Sequence, residues 1–228
     1  MNPLTAIACL SALLSAGSSG LVIPGASEAD FALLDQEVPR YELTDGSLVD
    51  GLAELSRIRT LRLHLGIEEI LRERLQGPSD RSVRFSLVIE HKSVRDILNT
   101  LCGWDARYTW STDGASINVY PWARTYDRTD LLNFEIERIE LRGIPDPYQA
   151  LTPLVKLFPE EPIGYMQSGG DSSYQSPWTV TFEHLTVRQL ANRIAEHMGQ
   201  RTAWIWQGGK DCRMFTFLRG GFHTGSAE

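Results

Sequence analysis

The sequence predicts an α+β chain: two tandem small domains, each strand-helix-strand-strand-helix-strand-strand, with helices packed on small mixed sheets. Three observations carry that prediction. The phrase EHKSVRDIL (90–98) returns 93 residues later as EHLTVRQLA (183–191). The apolar alternation before the phrase and the apolar stripe inside it recur at the same offset. Each phrase is also followed by two alternating stretches split by a glycine turn, STDGAS in one and QGGKD in the other.

The first repeat opens with Tyr41 and Leu43 in a strand pattern. Leu48, Leu52 and Leu55 follow at helical spacing, and Leu61, Leu63 and Leu65 alternate as a second strand. The stretch GIEEILRERLQGPSDRS (66–82) then reads as an insertion, with Ile67, Ile70, Leu71 and Leu75 suggesting a short helix. Phe85, Leu87 and Ile89 alternate as a strand with one buried face. Ser93 and Asp96 have the spacing of a capping box, in which the hydroxyl and the third side chain satisfy free N–H groups at a helix start. Val94, Ile97, Leu98 and Leu101 supply that helix with an apolar stripe, and Gly103 stands near its end. Tyr108 with Trp110, and Ile117 with Val119, form a hairpin around Asp113-Gly114.

The second repeat follows the same order. Ile139 and Leu141 precede Asp146-Pro147, a cap followed by proline in the first turn. Leu151, Leu154, Val155 and Phe158 give the stripe, which Pro153 is expected to kink or shorten. Ile163 and Tyr165 suggest the next strand, and Trp178, Val180 and Phe182 the one after. Thr186 and Gln189 repeat the capping box, Val187, Leu190, Ala191 and Ile194 the stripe, and Gly199 the helix end. Trp204 with Trp206, then Phe215 with Phe217, close the unit. The expected boundaries are 38–122 and 134–219, joined by a linker at 123–133 and followed by a mobile tail at 220–228.

Residues 1–27 contain no charged side chain, and Leu4 to Leu14 is an apolar run ahead of SAGSSG. This pattern resembles a signal peptide and predicts a periplasmic or otherwise exported protein, although the usual leading Lys or Arg is missing. The run is too short to span a bilayer, and no later stretch approaches the ~20 apolar residues that a span needs. Net charge is −7 over 228 residues, which disfavours nucleic acid and anionic membrane surfaces as partners. Beyond the leader only Cys102 and Cys212 remain, too few for a disulfide framework or a zinc motif. Export would permit one bond between them; two small buried side chains is the simpler reading.

The polar residues announce no chemistry. His91 and His184 each follow a glutamate at a strand-to-helix turn, and no histidine pair has metal-ligand spacing. Cys102 lies near a helix C-terminus, where the dipole disfavours a thiolate. The adjacent pairs Glu68-Glu69 and Glu160-Glu161 should diverge, and no nucleophile elbow, Walker loop or dinucleotide fingerprint is present. The only Gly-x-x-Gly, at 17–20, lies in the leader, so a KH-type clamp is not expected. No catalytic residue, metal ligand or cofactor is therefore assigned. Trp110, Trp204 and Trp206 fit a core. Trp104 and Trp122, near element ends, are candidates for partner contact. So are Gly169, Gly170 and Tyr174 in the Gly/Ser-rich loop QSGGDSSYQSP (167–177).

The runs VRFSLVIEHKSVRDILNTLCGWDARYTWSTDGASINVYP and WTVTFEHLTVRQLANRIAEHMGQRTAWIWQGGKDCRMFTF resemble the secretin and TonB-dependent receptor short N-terminal (STN) domain, in two tandem copies. The resemblance covers most of residues 38–219 and rests on apolar spacing. It implies a small periplasmic α+β domain that binds other proteins. No secretin core or β-barrel is expected, since the sequence given stops at residue 228. The expectation is a non-catalytic exported module that docks onto envelope or secretion and uptake proteins. An enzyme or enzyme subunit with a site between the repeats is the first alternative. A small-ligand sensor using the 167–177 loop is the second.

Overall fold

A computed structural model of the chain describes residues 32–69, 83–124, 127, 129–144, 146–158, 163–167, 177–199, 202–208 and 213–219. The first half contains β1 (Glu37–Gly46), α1 (Leu48–Arg57), β2 (His64–Glu69), β3 (Phe85–Ser93), α2 (Val94–Trp104), β4 (Tyr108–Asp113) and β5 (Ser116–Pro121). The second contains β6 (Glu135–Ile144), α3 (Pro147–Leu157), β7 (Ile163–Gln167), β8 (Trp178–Thr186), α4 (Val187–His197), β9 (Thr202–Gly208) and β10 (Arg213–Arg219). The α+β class is thus the one that the alternating and helical periods predict.

Local chemistry explains where the helices start. Ser93 accepts from the Asp96 N–H while the Asp96 carboxylate accepts from the Ser93 N–H, and Thr186 with Gln189 does the same. Asp146 accepts from the N–H groups of Tyr148 and Gln149 at the start of α3. A third capping box, Ser47 with Asp50, opens α1. Behind the caps, Val94, Ile97, Leu98 and Leu101 on α2 are fully buried, as are Val187, Leu190, Ala191 and Ile194 on α4. Burying each of the larger side chains contributes about 1.5–3 kcal/mol, so the stripes hold the helices on the sheet.

Pro153 does not end its helix, which continues to Leu157. The carbonyl that its missing N–H would have met belongs to Gln149, an exposed residue, where water can accept the role. Of the insertion, Gly66 to Glu69 belong to β2, so Ile67 is a strand residue and not part of the suggested helix. Positions 70–82 lie outside the described residues. Leu61 and Leu63 are buried but precede the strand.

In each half the first and third strands pair antiparallel, β1 with β3 and β6 with β8. Within each half the second strand runs parallel to the last, β2 with β5 and β7 with β10. The last strand also pairs antiparallel with its hairpin neighbour, β5 with β4 and β10 with β9. The two resulting three-stranded sheets are not separate. Parallel pairing of β2 with β9 fuses them into one six-stranded sheet, ordered β4-β5-β2-β9-β10-β7. Fusion satisfies backbone groups that two free edges would expose. Two apolar clusters line the sheet, one under α1 and α2 and one under α3 and α4, and Ala203 and Leu218 of the second half reach into the first. The connector is built in as well, because Leu131–Asn133 forms a 3-10 turn whose Leu132 is fully buried.

The halves also repeat their irregularities. Asp45 (φ 43°) and Gly143 (φ 58°) adopt left-handed backbone at matching bulges. Their N–H groups donate to Ser86 Oγ at 2.8 Å and Thr179 Oγ1 at 3.0 Å. His91 (φ 52°) and His184 (φ 51°) are left-handed too, a conformation uncommon for non-glycine residues in which His is enriched.

Candidate functional site

The region between the halves is where a shared site would have to lie. β2 carries Glu68 into it, and the first turn of α4 carries Arg188. Arg188 Nε donates to Glu68 Oε1 at 2.6 Å and Nη1 donates to Asn133 Oδ1 at 2.6 Å. The guanidinium also lies 5.1 Å from the centroid of the Tyr120 ring. Arg124 and Asp130 form a second ion pair in the connector, at 3.7 Å. Glu68 is completely buried, and burial holds its carboxyl above the usual carboxylate range even though Arg188 pulls it down. Glu68 Oε2 and Arg188 Nη2 are buried without a hydrogen-bond partner among the described residues.

A second polar cluster ties α4 to the β4–β5 hairpin. Arg193 donates to Glu196 at 2.9 Å and to Asp113 Oδ1 at 3.2 Å. Asn192 Nδ2 donates to Asp113 Oδ2 at 2.9 Å, and Ser116 Oγ to Glu196 Oε1 at 3.1 Å. Gln207 donates to Glu69 at 2.7 Å, so the two adjacent glutamates diverge to different partners. General acid–base catalysis needs a group within hydrogen-bonding reach of a substrate. Here the buried carboxylate faces a guanidinium under packed strands, and the arrangement works as a clamp between the halves. Sequence reasoning missed this seam. The one local signal was an acidic residue, Glu68, at an inward position of the strand HLGIEE.

The other singled-out residues scatter. His91 Nδ1 lies 2.7 Å from Glu37 Oε1, and His184 Nδ1 lies 3.8 Å from Glu135 Oε1; both imidazoles are largely exposed. His64 is half-buried, which lowers its pKa, and His197 stacks on Trp178 with ring centroids 3.9 Å apart. Among the described residues, no group of three or more His, Cys, Asp or Glu side chains could hold a metal ion. Cys102 is a free thiol whose pKa burial pushes up to about 12. Cys212, His223 and Glu160-Glu161 lie outside the described residues. Trp204 and Trp206 are core residues, while Trp110 is partly buried and donates to Asn99 Oδ1 at 3.0 Å.

Of the candidate contact residues, Trp104 is 54% exposed and Trp122 is 60% exposed. Trp104 stacks on Phe85, with centroids 5.5 Å apart. Gly169, Gly170 and Tyr174 lie outside the described residues. An open groove of about 560 Å³ runs between β3 and α2, lined by Val88, Glu90, Lys92, Asp96, Asn99 and Thr100 among others. Neither Trp104 nor Trp122 lines it. No described helix is long and apolar enough to cross a membrane. In comparisons with protein-family models, curated proteins and solved structures, the chain matches none of them.

Proposed function

We propose that the protein is an exported, non-catalytic interaction module, resembling tandem STN domains, that docks onto proteins of the cell envelope. The observation that carries this reading is how the polar groups are used. The buried charges between the halves hold the halves together, whereas among the described residues the end strands β4 and β7 each pair on one side alone. Open edges bind by strand addition, in which main-chain hydrogen bonds supply affinity and side-chain positions supply specificity. The charge-free stretch at 1–27 supports export.

The test has two arms. A fusion of the full chain to a reporter active only outside the cytoplasm is expected to be active, and to fall silent when residues 1–27 are removed. Photo-crosslinkers at Trp104 or Trp122, both well exposed, are expected to trap a discrete envelope protein in living cells. A silent full-length fusion with no discrete adduct from either position overturns the reading. The enzyme alternative predicts instead that Glu68→Gln abolishes turnover of some substrate without loosening the halves.

A further inference from the structure

One side chain beside the polar cluster of α4 and the β4–β5 hairpin changes charge near neutral pH. His64 opens β2, the strand that joins the halves by pairing with β9. Its register partner on β5 is Ser116, and such partners point to one face of a sheet. Ser116 Oγ donates to Glu196 Oε1 at 3.1 Å, and Glu196, near the end of α4, is the charge that acts on His64. A histidine of the first half thus meets a helix of the second.

The second half has no such imidazole. Trp110 donates to Asn99 as Trp204 donates to Asn192, which aligns β4 with β9. The strand registers carry that alignment onward: Trp110 pairs with Val119 and Val119 with Ile67, while Trp204 pairs with Phe217 and Phe217 with Gln167. His64 therefore corresponds to Gly164, and the imidazole stands only where the halves meet.

Its surroundings suit a neutral ring. Nδ1 is buried with no hydrogen-bond partner among the described residues. A neutral imidazole can keep this as its bare nitrogen, but an imidazolium makes both nitrogens donors, and a buried donor without an acceptor is costly. The acceptors nearby are committed. Glu196 accepts from Ser116, and both its oxygens lie 2.9 Å from Arg193 Nη1. Arg193 and Asn192 donate to the two oxygens of Asp113. Glu68, farther along β2, has Arg188, and the adjoining end of β9 supplies the uncharged Thr202, whose hydroxyl donates to the Gly199 carbonyl. Asn118 Oδ1 also lacks a donor, but it lies against Gly66, two positions farther along β2.

We propose that His64 makes the join between the halves sensitive to pH. With a neutral imidazole α4 stays closed over β2. A protonated one draws Glu196 away from Arg193 and Ser116, which releases Asp113 of the hairpin from α4 and loosens the pairing of β2 with β9. The direction follows from burial, which holds the His64 pKa below the ordinary 6.5 although Glu196 pulls it up. The opened form takes the proton first on acidification. Closure is therefore complete above the ordinary value and is lost as pH falls through the lower, folded one. This goes beyond the docking role proposed above and does not depend on it.

The test is hydrogen exchange of the full chain read by mass spectrometry between about pH 7 and about pH 5, with rates corrected for the intrinsic pH dependence of exchange. Peptides from β2 and β9 report the join, and peptides from β1 and β3 serve as the reference in the same molecule. In wild type, exchange at the join is expected to rise relative to the reference by up to about tenfold for each pH unit below the ordinary histidine value. In His64→Gln, which keeps His197 and every other titrating group, the ratio is expected to stay level. A wild-type ratio that is level or falls on acidification overturns the proposal, as does a His64→Gln ratio that rises as wild type does. Should His64→Gln fail to fold, His64→Leu takes its place, and failing both, the wild-type ratio decides alone.

Discussion

The two halves place an arginine at the second position of matching helices, Arg95 on α2 and Arg188 on α4, and use it in opposite ways. Arg95 pairs with Asp35 at 3.2 Å on the surface, with the Asp35 side chain 64% exposed. Arg188 is turned into the seam against a carboxylate that is 1% exposed. A repeated phrase thus fixes a helix start in both halves, while the surroundings decide whether the charge beside it is solvated or structural. Exposed pairs contribute about 0–1 kcal/mol, and removing one partner of a buried pair costs about 3–5 kcal/mol. Arg188→Ala is therefore expected to lower unfolding free energy by about 3–5 kcal/mol in a urea titration, against at most about 1 kcal/mol for Arg95→Ala. Equal losses would break the distinction drawn between the two sites.

Two strand glycines, one at the inner join and one on the end strand β7, sharpen the same comparison at smaller size. Gly66→Ala forces a methyl into Trp204 and Asn118, and overpacking of this kind costs about 1–3 kcal/mol. Gly164→Ala meets no close described atom and is expected to change monomer stability by no more than about 0.5 kcal/mol. The measurement is thermal unfolding of each variant beside the wild type.

What was legible in the sequence was local. A capping box needs two residues three apart, and a helix stripe needs four within eight. Ser93 with Asp96 and the Val94 stripe could accordingly be read without coordinates, as could their counterparts in the second half. The fusion of the sheets could not, because β2 and β9 are distant in sequence and no residue in either strand marks it as an inner strand. The seam failed for a related reason. Glu68 and Arg188 are 120 positions apart, and although Glu68 sits at an inward strand position, nothing local names Arg188 as its partner. Even the repeated left-handed histidines looked like unremarkable turn residues. Their backbone conformation follows from where β3 and β8 turn into the helices that follow them, and composition does not reveal it.

One stacked pair is repeated with different chemistry. Phe85 stacks with Trp104 in the first half, and Trp178 stacks with His197 at the same two places in the second. Only the second pair titrates. Burial lowers the His197 pKa below its ordinary 6.5. The unfolded chain therefore takes up the proton first on acidification. The stability that neutral His197 contributes is complete above the unfolded value and is lost as pH falls through the folded one. Between about pH 7 and pH 5 the thermal midpoint of wild type is expected to fall relative to that of His197→Phe. Parallel curves would show that the stack does not sense protonation.

The smallest difference is a single atom type beneath the helices. Cys102 on α2 stands where α4 has the fully buried Ala195. Burial, with a further contribution from Asp105, pushes the Cys102 thiol up to about 12, so almost none of it is thiolate at neutral pH. Compared with an ordinary thiol near 8.5, its thiolate fraction at about pH 8 is lower by roughly a thousandfold. Peptide mapping after brief iodoacetamide treatment is expected to find Cys102 unmodified in the folded protein and fully modified in urea. Rapid native labelling would mean that the helix opens on the timescale of the reaction. It would place the first half, with its open groove beside α2, as the looser of the two.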